Sequence, residues 1–200
     1  RVRPSDLSQY TSTVGEATRL VEENLARAAH LVRSFKQVSV DRGLDEHRRF
    51  VLIDYLDDLI ESLEIVWKRR PIRFTLECQK DIVLDSYPGT LGQIITTFAQ
   101  NALHHAFDEG QPGRLTLSAR ALAEDQVELV FADDGKGISS EDLPHVFEPF
   151  FTTRRAEGMV GLGLHIVFNQ VHARLGGRIE VSSAPGAGTR FTLVIPRSAP

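Results

Sequence analysis

Four short motifs follow one another in this 200-residue chain, and all of them fall within about 65 residues. They are Gln100–His105, Asp133–Ile138, Phe147–Thr153 and Gly161–Leu164. Between them they supply one amide, one carboxylate, a group of aromatic side chains and two glycine turns. A single motif of this kind is weak evidence, because each is common in unrelated proteins. Their order and spacing together predict a pocket for a nucleotide.

The composition is that of an ordinary globular protein, with 42% hydrophobic and 25% charged residues. A net charge of −4 gives no basic excess, so no nucleic-acid partner is expected. The single cysteine, Cys78, excludes an internal disulfide and fits a reducing, cytoplasmic location. It falls in a predicted strand, which favours a packed thiol over a reactive one. No apolar run approaches the roughly 20 residues that span a bilayer, so we expect a membrane anchor only in other parts of a longer protein.

The first 40 residues are predicted to form one long helix. Apolar residues recur alternately three and four positions apart from Leu7 to Val38, which is the spacing of a heptad seam. A helix of about 34 residues is about 50 Å long and needs partner helices to cover such a seam. We therefore expect a homodimer through this helix. Asn24 interrupts the seam, either to set the register or as a solvated irregularity.

A polar break with Gly43 divides the chain into two predicted units, residues 1–45 and residues 49–200. In the second unit, periodicity predicts helices over 53–67, 90–107 and 165–174, and strands over 49–52, 71–78, 82–84, 114–120, 126–131, 178–182 and 189–195. This order indicates an α+β fold, with a mixed, largely antiparallel sheet and helices on one face. Residues 139–160 show no clear periodicity and form either a functional lid or a mobile loop.

The first motif carries amide and imidazole groups on a predicted helix. The amide oxygen of Asn101 is a hard ligand of the kind that suits Mg²⁺, although a surface or capping asparagine is the simpler interpretation. His104 and His105 lie three and four residues further on, so on an α-helix they share its face. They could reach a phosphate or a nucleoside, or they are surface histidines.

The second motif begins at the end of a predicted strand. A carboxylate fixed there, such as that of Asp133, can accept a hydrogen bond from an exocyclic amine, which distinguishes adenine from guanine. Gly135 and Gly137 would let the backbone approach a flat base. A plain Asp-Gly turn is the alternative, but the return to an apolar residue at Ile138 weakens it.

The last two motifs combine aromatic residues with a glycine turn. Gly161–Leu164 precedes a predicted helix, and such turns present free N–H groups to phosphate. Gly158 is a candidate member of the same loop. The phenylalanines of Phe147–Thr153 need a hydrophobic seat, either as core residues or to dock a lid. That lid would extend Thr152, Thr153, Arg154 and Arg155 toward anionic phosphates.

These residues resemble the catalytic and ATP-binding domain of bacterial sensor histidine kinases, within the wider GHKL family of gyrase-type topoisomerases, chaperone ATPases and mismatch-repair ATPases. Asn101 matches the N box, Asp133–Gly137 the G1 box, Phe147–Thr153 the F box and Gly161–Leu164 the G2 box. The F box separates the kinases from other GHKL members. The match covers about residues 49–197, and the preceding helix is similar to the second helix of a dimerisation and phosphotransfer hairpin.

The resemblance implies a GHKL-type α/β sandwich that binds ATP with Mg²⁺. It assigns Mg²⁺ to Asn101, the adenine amine to Asp133, phosphates to the Gly161/Gly163 loop and adenine support to Thr189. It implies an ATP site made of Asn101, His104, His105, Asp133, Gly135, Gly137, Ile138, Phe147, Thr153, Arg154, Gly161, Leu162, Gly163, Leu164 and Thr189. In that site His104 would approach phosphate and His105 the adenosine. Arg154 would occupy the position of the basic residue that follows the F box.

The chain departs from the family pattern in two ways. Thr97 stands where many members have a second asparagine, and no histidine has the setting of the phosphoacceptor. His30 is followed by Leu31 with no proline nearby, so we interpret it as a surface residue. The chain starts at Arg1 without Met, so we expect a fragment whose acceptor histidine lies upstream.

The resemblance implies a kinase whose phosphoryl group passes from that histidine to an aspartate of a response regulator receiver domain. One alternative is a non-catalytic dimerisation module, in which the nucleotide-binding domain is degenerate and serves as a scaffold. The other is a GHKL ATPase, which would need a glutamate base about one turn before Asn101. Neither Thr97 nor Gln100 supplies such a base.

Overall fold

The computed structural model describes residues 13–15, 17–19, 21, 46–68, 70–123, 125–154 and 159–200. Residues 13–15, 17–19 and 21 are helical. The rest of the predicted N-terminal helix, including Asn24 and His30, lies outside the described residues, as do the predicted break over 41–45 and Gly158. Among the described helices, none is both long enough and apolar enough to cross a membrane.

Residues 48–196 contain both helices and strands, as the sequence predicts. The strands found in the described residues are β1 (Arg48–Val51), β2 (Ile72–Cys78), β3 (Val83–Ser86), β4 (Gly113–Ala121), β5 (Gln126–Asp133), β6 (Arg178–Ser183) and β7 (Thr189–Pro196). The α-helices are α1 (Leu52–Trp67), α2 (Pro88–Asn101) and α3 (Gly163–Asn169). Helices α2 and α3 continue into π-helical turns, Ala102–Ala106 and Gln170–Arg174, and a short 3₁₀ turn spans Leu143–His145.

Five strands form the main sheet in the order β2-β4-β5-β7-β6. Only the β2–β4 pair in this sheet is parallel, and the other three pairs are antiparallel. The mixed, largely antiparallel sheet is therefore confirmed. Strands β1 and β3 pair antiparallel in a separate two-stranded ribbon. The sequence predicted both strands but not their pairing. Their pairing depends on contacts across α1 and β2, and such short strands carry little periodicity of their own.

The hydrophobic core lies between one face of this sheet and the helices. Alternate residues of the three central strands are buried in it, namely Leu115, Leu117 and Ala119 of β4, Val127, Leu129 and Phe131 of β5, and Phe191, Leu193 and Ile195 of β7. Phe98 of α2 is 1% exposed, and its ring centroid lies 5.6 Å from that of Phe131 and 4.5 Å from that of Phe191. Burial of these aromatic rings fixes α2 against β5 and β7. Asn101, three residues beyond Phe98, is thereby held beside the same strands.

Helix α2 differs from its predicted bounds at both ends. It begins at Pro88 rather than Thr90, because a proline at the first helical turn lacks only an N–H that would have no intrahelical partner. Its α-helical part ends at Asn101, and a π-helical turn takes over where a continuous α-helix to Phe107 was predicted. This turn changes the direction of the side chains that follow Asn101.

Candidate functional site

A cavity of about 500 Å³ lies where α2, the end of β5 and the segment before α3 meet, which is the size range of small-molecule sites. It brings together Asn101, His104, His105, Asp133, Gly137, Ile138, Thr153, Gly161, Leu162, Gly163, Leu164 and Thr189. Three other predicted site residues, Gly135, Phe147 and Arg154, lie outside its lining. The four motifs therefore converge on one cavity.

The carboxylate of Asp133 lies at the end of β5 and is held by two backbone amides. Its Oδ1 atom accepts hydrogen bonds from the N–H groups of Gly135, at 3.0 Å, and Thr189, at 3.2 Å. Burial raises the pKa of Asp133, the two amides oppose this change, and the charge of Asp134 adds to it. In the described residues no donor is seen on Oδ2, so this oxygen can accept a hydrogen bond from a ligand.

The turn after Asp133 packs into the turn between β6 and β7. Gly137 has a φ of 71°, and a Cβ there would collide with the carbonyl oxygen of Ala184. The N–H of Ile138 donates to the hydroxyl of Ser183 at 2.8 Å, and that hydroxyl donates to the carbonyl of Gly188 at 2.7 Å. The lining residues Gly137 and Ile138 are therefore held by a pair of interlocked turns, in which only a residue without a side chain fits at position 137.

The π-helical turn after Asn101 is held by two partners from other elements. The guanidinium of Arg70, in the loop between α1 and β2, donates to the carbonyl of Leu103. The N–H of Lys136 donates to the carbonyl of Ala106 at 3.0 Å. These bonds satisfy carbonyls that a regular helix would leave unpaired at its end. His104 is exposed and His105 half-buried in this turn.

The glycine motif, Gly161–Leu164, leads into α3 and lies directly over α2. Gly163 approaches both Thr97 and Asn101, because a Cβ at this position would lie 3.2 Å from Thr97 Cγ2 and 4.0 Å from Asn101 Oδ1. Gly161 has a φ of 74°, and a Cβ there would overlap the carbonyl of Phe151. The motif is thus held between the amide of Asn101 and the aromatic motif, with its backbone at the cavity wall.

The aromatic motif has one side chain packed against the core, one at the cavity and one at the surface. Phe147 packs against Phe168 and Phe191, with ring centroids 5.5 and 6.5 Å away, so its predicted hydrophobic seat is confirmed. Phe151 lines the cavity, whereas Phe150 has a φ of 66° and is 55% exposed. Arg154 is half-buried outside the lining, and its N–H donates to Thr152 Oγ1 at 3.1 Å.

Sequence reasoning missed several residues of the site. Gln93 lies one turn before Thr97 and lines the cavity, as do Ser139, Asp142, Met159 and Val160 of the segment without periodicity. Ser139 and Asp142 form a local cap, since Ser139 Oγ donates to Asp142 Oδ2 at 2.9 Å and accepts from Asp142 N at 3.1 Å. The Ser-x-x-Asp spacing before Leu143 was the available signal for this cap. Arg70 and Ser183 gave no local signal.

The amide of Asn101 is a possible metal ligand. In the described residues, no three acidic, histidine or cysteine side chains cluster as a metal site. This donor set fits Mg²⁺, which dehydrates reluctantly and usually takes one or two protein oxygens with waters and phosphate oxygens. It does not fit a tetrahedral zinc centre, which needs several imidazole or thiolate ligands.

Comparisons with known proteins identify the family of this chain. Residues 87–199 match the model of the family described as histidine kinase-, DNA gyrase B- and HSP90-like ATPase. Sensor histidine kinase ZraS of Klebsiella oxytoca is 31% identical over 193 residues, which cover 94% of this chain and 40% of the relative. The chain thus spans about 40% of the length of this curated relative.

Solved structures share the fold. The catalytic domain of histidine kinase ThkA is 25% identical with a TM-score of 0.66, over 76% of this chain and 97% of that one. ThkA in complex with response regulator protein TrrA gives a TM-score of 0.66 at 21% identity, over 98% of this chain and 53% of that one. The chain belongs to the histidine kinase-, DNA gyrase B- and HSP90-like ATPase family, and its domain is a catalytic domain of the sensor histidine kinase type.

Proposed function

We propose that this domain binds Mg-ATP in the cavity and donates its γ-phosphoryl group to a histidine on a preceding helix, for relay to a response regulator aspartate. The observation that carries the proposal is the carboxylate of Asp133, which lines the cavity and is held at Oδ1 by two backbone amides. A fixed, partly desolvated carboxylate suits the exocyclic amine of adenine, whereas the carbonyl that guanine carries at this position would be repelled.

The adenine would lie between the interlocked turns and the apolar side chains of the cavity. Ile138 and Leu164 both line the cavity, and Thr189, which lines it too, donates its backbone N–H to the carboxylate of Asp133. The Thr189 hydroxyl is 3.1 Å from Ser183 Oγ, so its orientation is fixed before a ligand arrives. This end of the cavity therefore favours a flat base with an amine at its edge.

The phosphates would lie at the other end, against Asn101 and the glycine motif. Asn101 Oδ1 would hold Mg²⁺ there, and the metal would neutralise charge on the triphosphate. The backbone at Gly161 and Gly163 and the exposed imidazole of His104 contribute donors to phosphate oxygens. The role of these residues is to orient the γ-phosphoryl group, because positioning and electrostatics carry most of the catalysis in phosphoryl transfer.

The site favours transfer to a protein histidine over hydrolysis. Hydrolysis needs a general base near the γ-phosphate, and Thr97 occupies the position one turn before Asn101. Its hydroxyl donates to the carbonyl of Gln93 at 2.9 Å, and a threonine hydroxyl is a poor base. We therefore propose that the base accompanies the acceptor histidine. We also propose that residues 1–45 and 49–200 are separate units, and that the predicted helix of the first dimerises.

Calorimetric titration with Mg-ATP tests the binding step. We expect Asn101→Ala to weaken Mg-ATP binding at least tenfold and to leave binding of metal-free ATP in EDTA within twofold of the unmodified chain, because the lost ligand acts through the metal. GTP should bind at least tenfold more weakly than ATP. A chain that shows no binding heat with Mg-ATP contradicts the proposal and favours a scaffold.

Phosphotransfer is tested separately with labelled ATP and a longer chain that includes the preceding helix. We expect acid-labile phosphohistidine on that helix, and its loss in Asn101→Ala. Release of inorganic phosphate without phosphohistidine would instead identify an ATPase. Transfer to a purified receiver domain in the same mixture tests the relay.

A further inference from the structure

His165, the first residue after the glycine motif, binds the backbone of the aromatic motif. Its Nδ1 atom lies 3.1 Å from the carbonyl oxygen of Phe147. His165 lies between Leu164 and Ile166, which both line the cavity, but it is not itself in the lining. It therefore links the cavity helix α3 to a segment 18 positions earlier in the chain.

The hydrogen bonds around the ring specify one tautomer. A carbonyl oxygen only accepts, so Nδ1 must carry the proton that binds Phe147. Asn169, four residues on in α3, places its Nδ2 atom 3.2 Å from His165 Nε2. An amide nitrogen only donates, so Nε2 accepts and the ring is neutral with its proton on Nδ1. Asn169 holds the ring in the orientation that this bond requires.

The bond joins the aromatic motif to α3, directly after the glycine motif. The glycine motif itself approaches the aromatic motif where Gly161 lies close to the carbonyl of Phe151. The Phe147 side chain packs on Phe168 of α3, which fixes the start of the aromatic motif on the same helix. Phe151, Thr152 and Thr153 follow and line the cavity. Their positions therefore depend on how Phe147 is attached to α3.

We propose that His165 is a positioning residue whose Nδ1–H fixes the aromatic motif against α3, so that Phe151–Thr153 are ordered at the cavity before nucleotide binds. The inference rests on the proposed binding of Mg-ATP. Without the bond, nucleotide binding must also order these residues, and the associated loss of conformational freedom weakens the measured affinity.

Substitutions of His165 by Asn, Gln and Leu distinguish this positioning role from an effect on the stability of α3. In His165→Asn the side-chain nitrogen lies as many bonds from Cα as Nδ1 does, so the donor to Phe147 is kept. In His165→Gln the nitrogen lies one bond further out, and in His165→Leu there is no donor. Leucine has a higher helix propensity than asparagine, so a purely structural role predicts that His165→Leu is the better variant.

We expect His165→Asn to bind Mg-ATP within twofold of the unmodified chain, and His165→Gln and His165→Leu to bind three- to tenfold more weakly, the effect of one lost hydrogen bond. The melting temperature of His165→Leu should equal or exceed that of His165→Asn. Equal affinity in His165→Leu and the unmodified chain, or an affinity order that follows the melting temperatures, would overturn the proposal.

Two measurements without nucleotide separate this inference from the proposed function. Long-range ¹H–¹⁵N NMR of the nucleotide-free chain should show His165 as the neutral Nδ1–H tautomer, and an Nε2–H tautomer contradicts the proposal. Trypsin should cleave after Arg154 three- to tenfold faster in His165→Leu than in His165→Asn, since loss of the bond frees the aromatic motif. If the unmodified chain does not bind Mg-ATP, the proposed function fails, while these two results still decide whether His165 holds the motif.

Discussion

Gly135 and Ala106 lie so close together that a Cβ added at Gly135 would come within 2.5 Å of the carbonyl oxygen of Ala106. That oxygen accepts a hydrogen bond from the N–H of Lys136. The end of β5, which carries the adenine-binding carboxylate in our proposal, is thus joined to the π-helical turn that follows Asn101. Gly135 acts outside the cavity lining, by letting these two segments meet.

Gly135→Ala should therefore separate the two segments and break the bond between Lys136 and Ala106. We expect the free energy of unfolding to fall by about 1–3 kcal/mol, the usual cost of overpacking, and Mg-ATP affinity to fall at least tenfold. Urea denaturation and calorimetry measure the two effects. Gly15→Ala is the matched control, because nothing lies within 4 Å of a Cβ at that position. Unchanged affinity in Gly135→Ala would show that this contact does not shape the site.

The sequence predicted the parts of the site that depend on local signals. Asp133 follows an alternating strand and precedes two glycines, so its place at a strand end could be read directly. Arg70 could not be predicted, because its partner Leu103 is 33 residues away and only the tertiary fold brings them together. Ser183 is likewise 45 residues from Ile138. Contacts at such separations leave no periodicity in one sequence.

The histidines of the first motif show that tertiary contacts also limit sequence-based prediction within one helix. The prediction that His104 and His105 share a face with Asn101 assumed α-helical geometry, in which residues three and four apart are neighbours. The structure has a π-helical turn over Ala102–Ala106, and the two histidines differ in exposure although both line the cavity. A π-helical turn depends on outside partners such as Arg70 and Lys136, which propensity does not encode.

Thr97 and Gly163 should show energetic coupling, because a Cβ at Gly163 would lie 3.2 Å from the Thr97 methyl group. Gly163→Ala gains helix propensity in α3 but strains this contact. Thr97→Ser removes the methyl group and keeps the hydroxyl that donates to Gln93. We expect Gly163→Ala to be more favourable in the Thr97→Ser background by about 0.5–2 kcal/mol, measured by urea denaturation of the four proteins. Additivity within about 0.3 kcal/mol would contradict this coupling.

Cys78 should react slowly with alkylating reagents in the folded chain. Burial, followed by the charge of Asp57, raises the pKa of its thiol from 9.0 to about 11. Since the thiolate is the reactive form, a difference of about two pKa units means roughly 100-fold less of it at pH 8. We expect iodoacetamide to react about 100-fold more slowly with the folded than with the urea-unfolded chain. Asp57→Asn should increase the folded rate, and Asp58→Asn, its exposed neighbour on α1, should not. Equal folded and unfolded rates would contradict a packed thiol.

Asp133→Asn should make the nucleotide-free chain more stable at neutral pH while weakening its binding of ATP. The pKa of Asp133 is raised above its ordinary value of 3.8, chiefly by burial, so between these two pKa values the folded state binds more protons than the unfolded state. The free energy of unfolding therefore falls as pH rises through that interval, and the loss is complete above the raised pKa.

Asparagine does not titrate and can keep both bonds to Gly135 and Thr189 through its own Oδ1 atom. The difference in melting temperature between Asp133→Asn and the unmodified chain should be small below pH 3.8, grow with pH through the interval and then stay constant. ATP affinity should fall at least tenfold, the effect of losing a charge-assisted hydrogen bond, and Glu180→Gln at an exposed position of β6 is the charge control. A lower melting temperature for Asp133→Asn at neutral pH would show that the two backbone hydrogen bonds outweigh the cost of burying the charge.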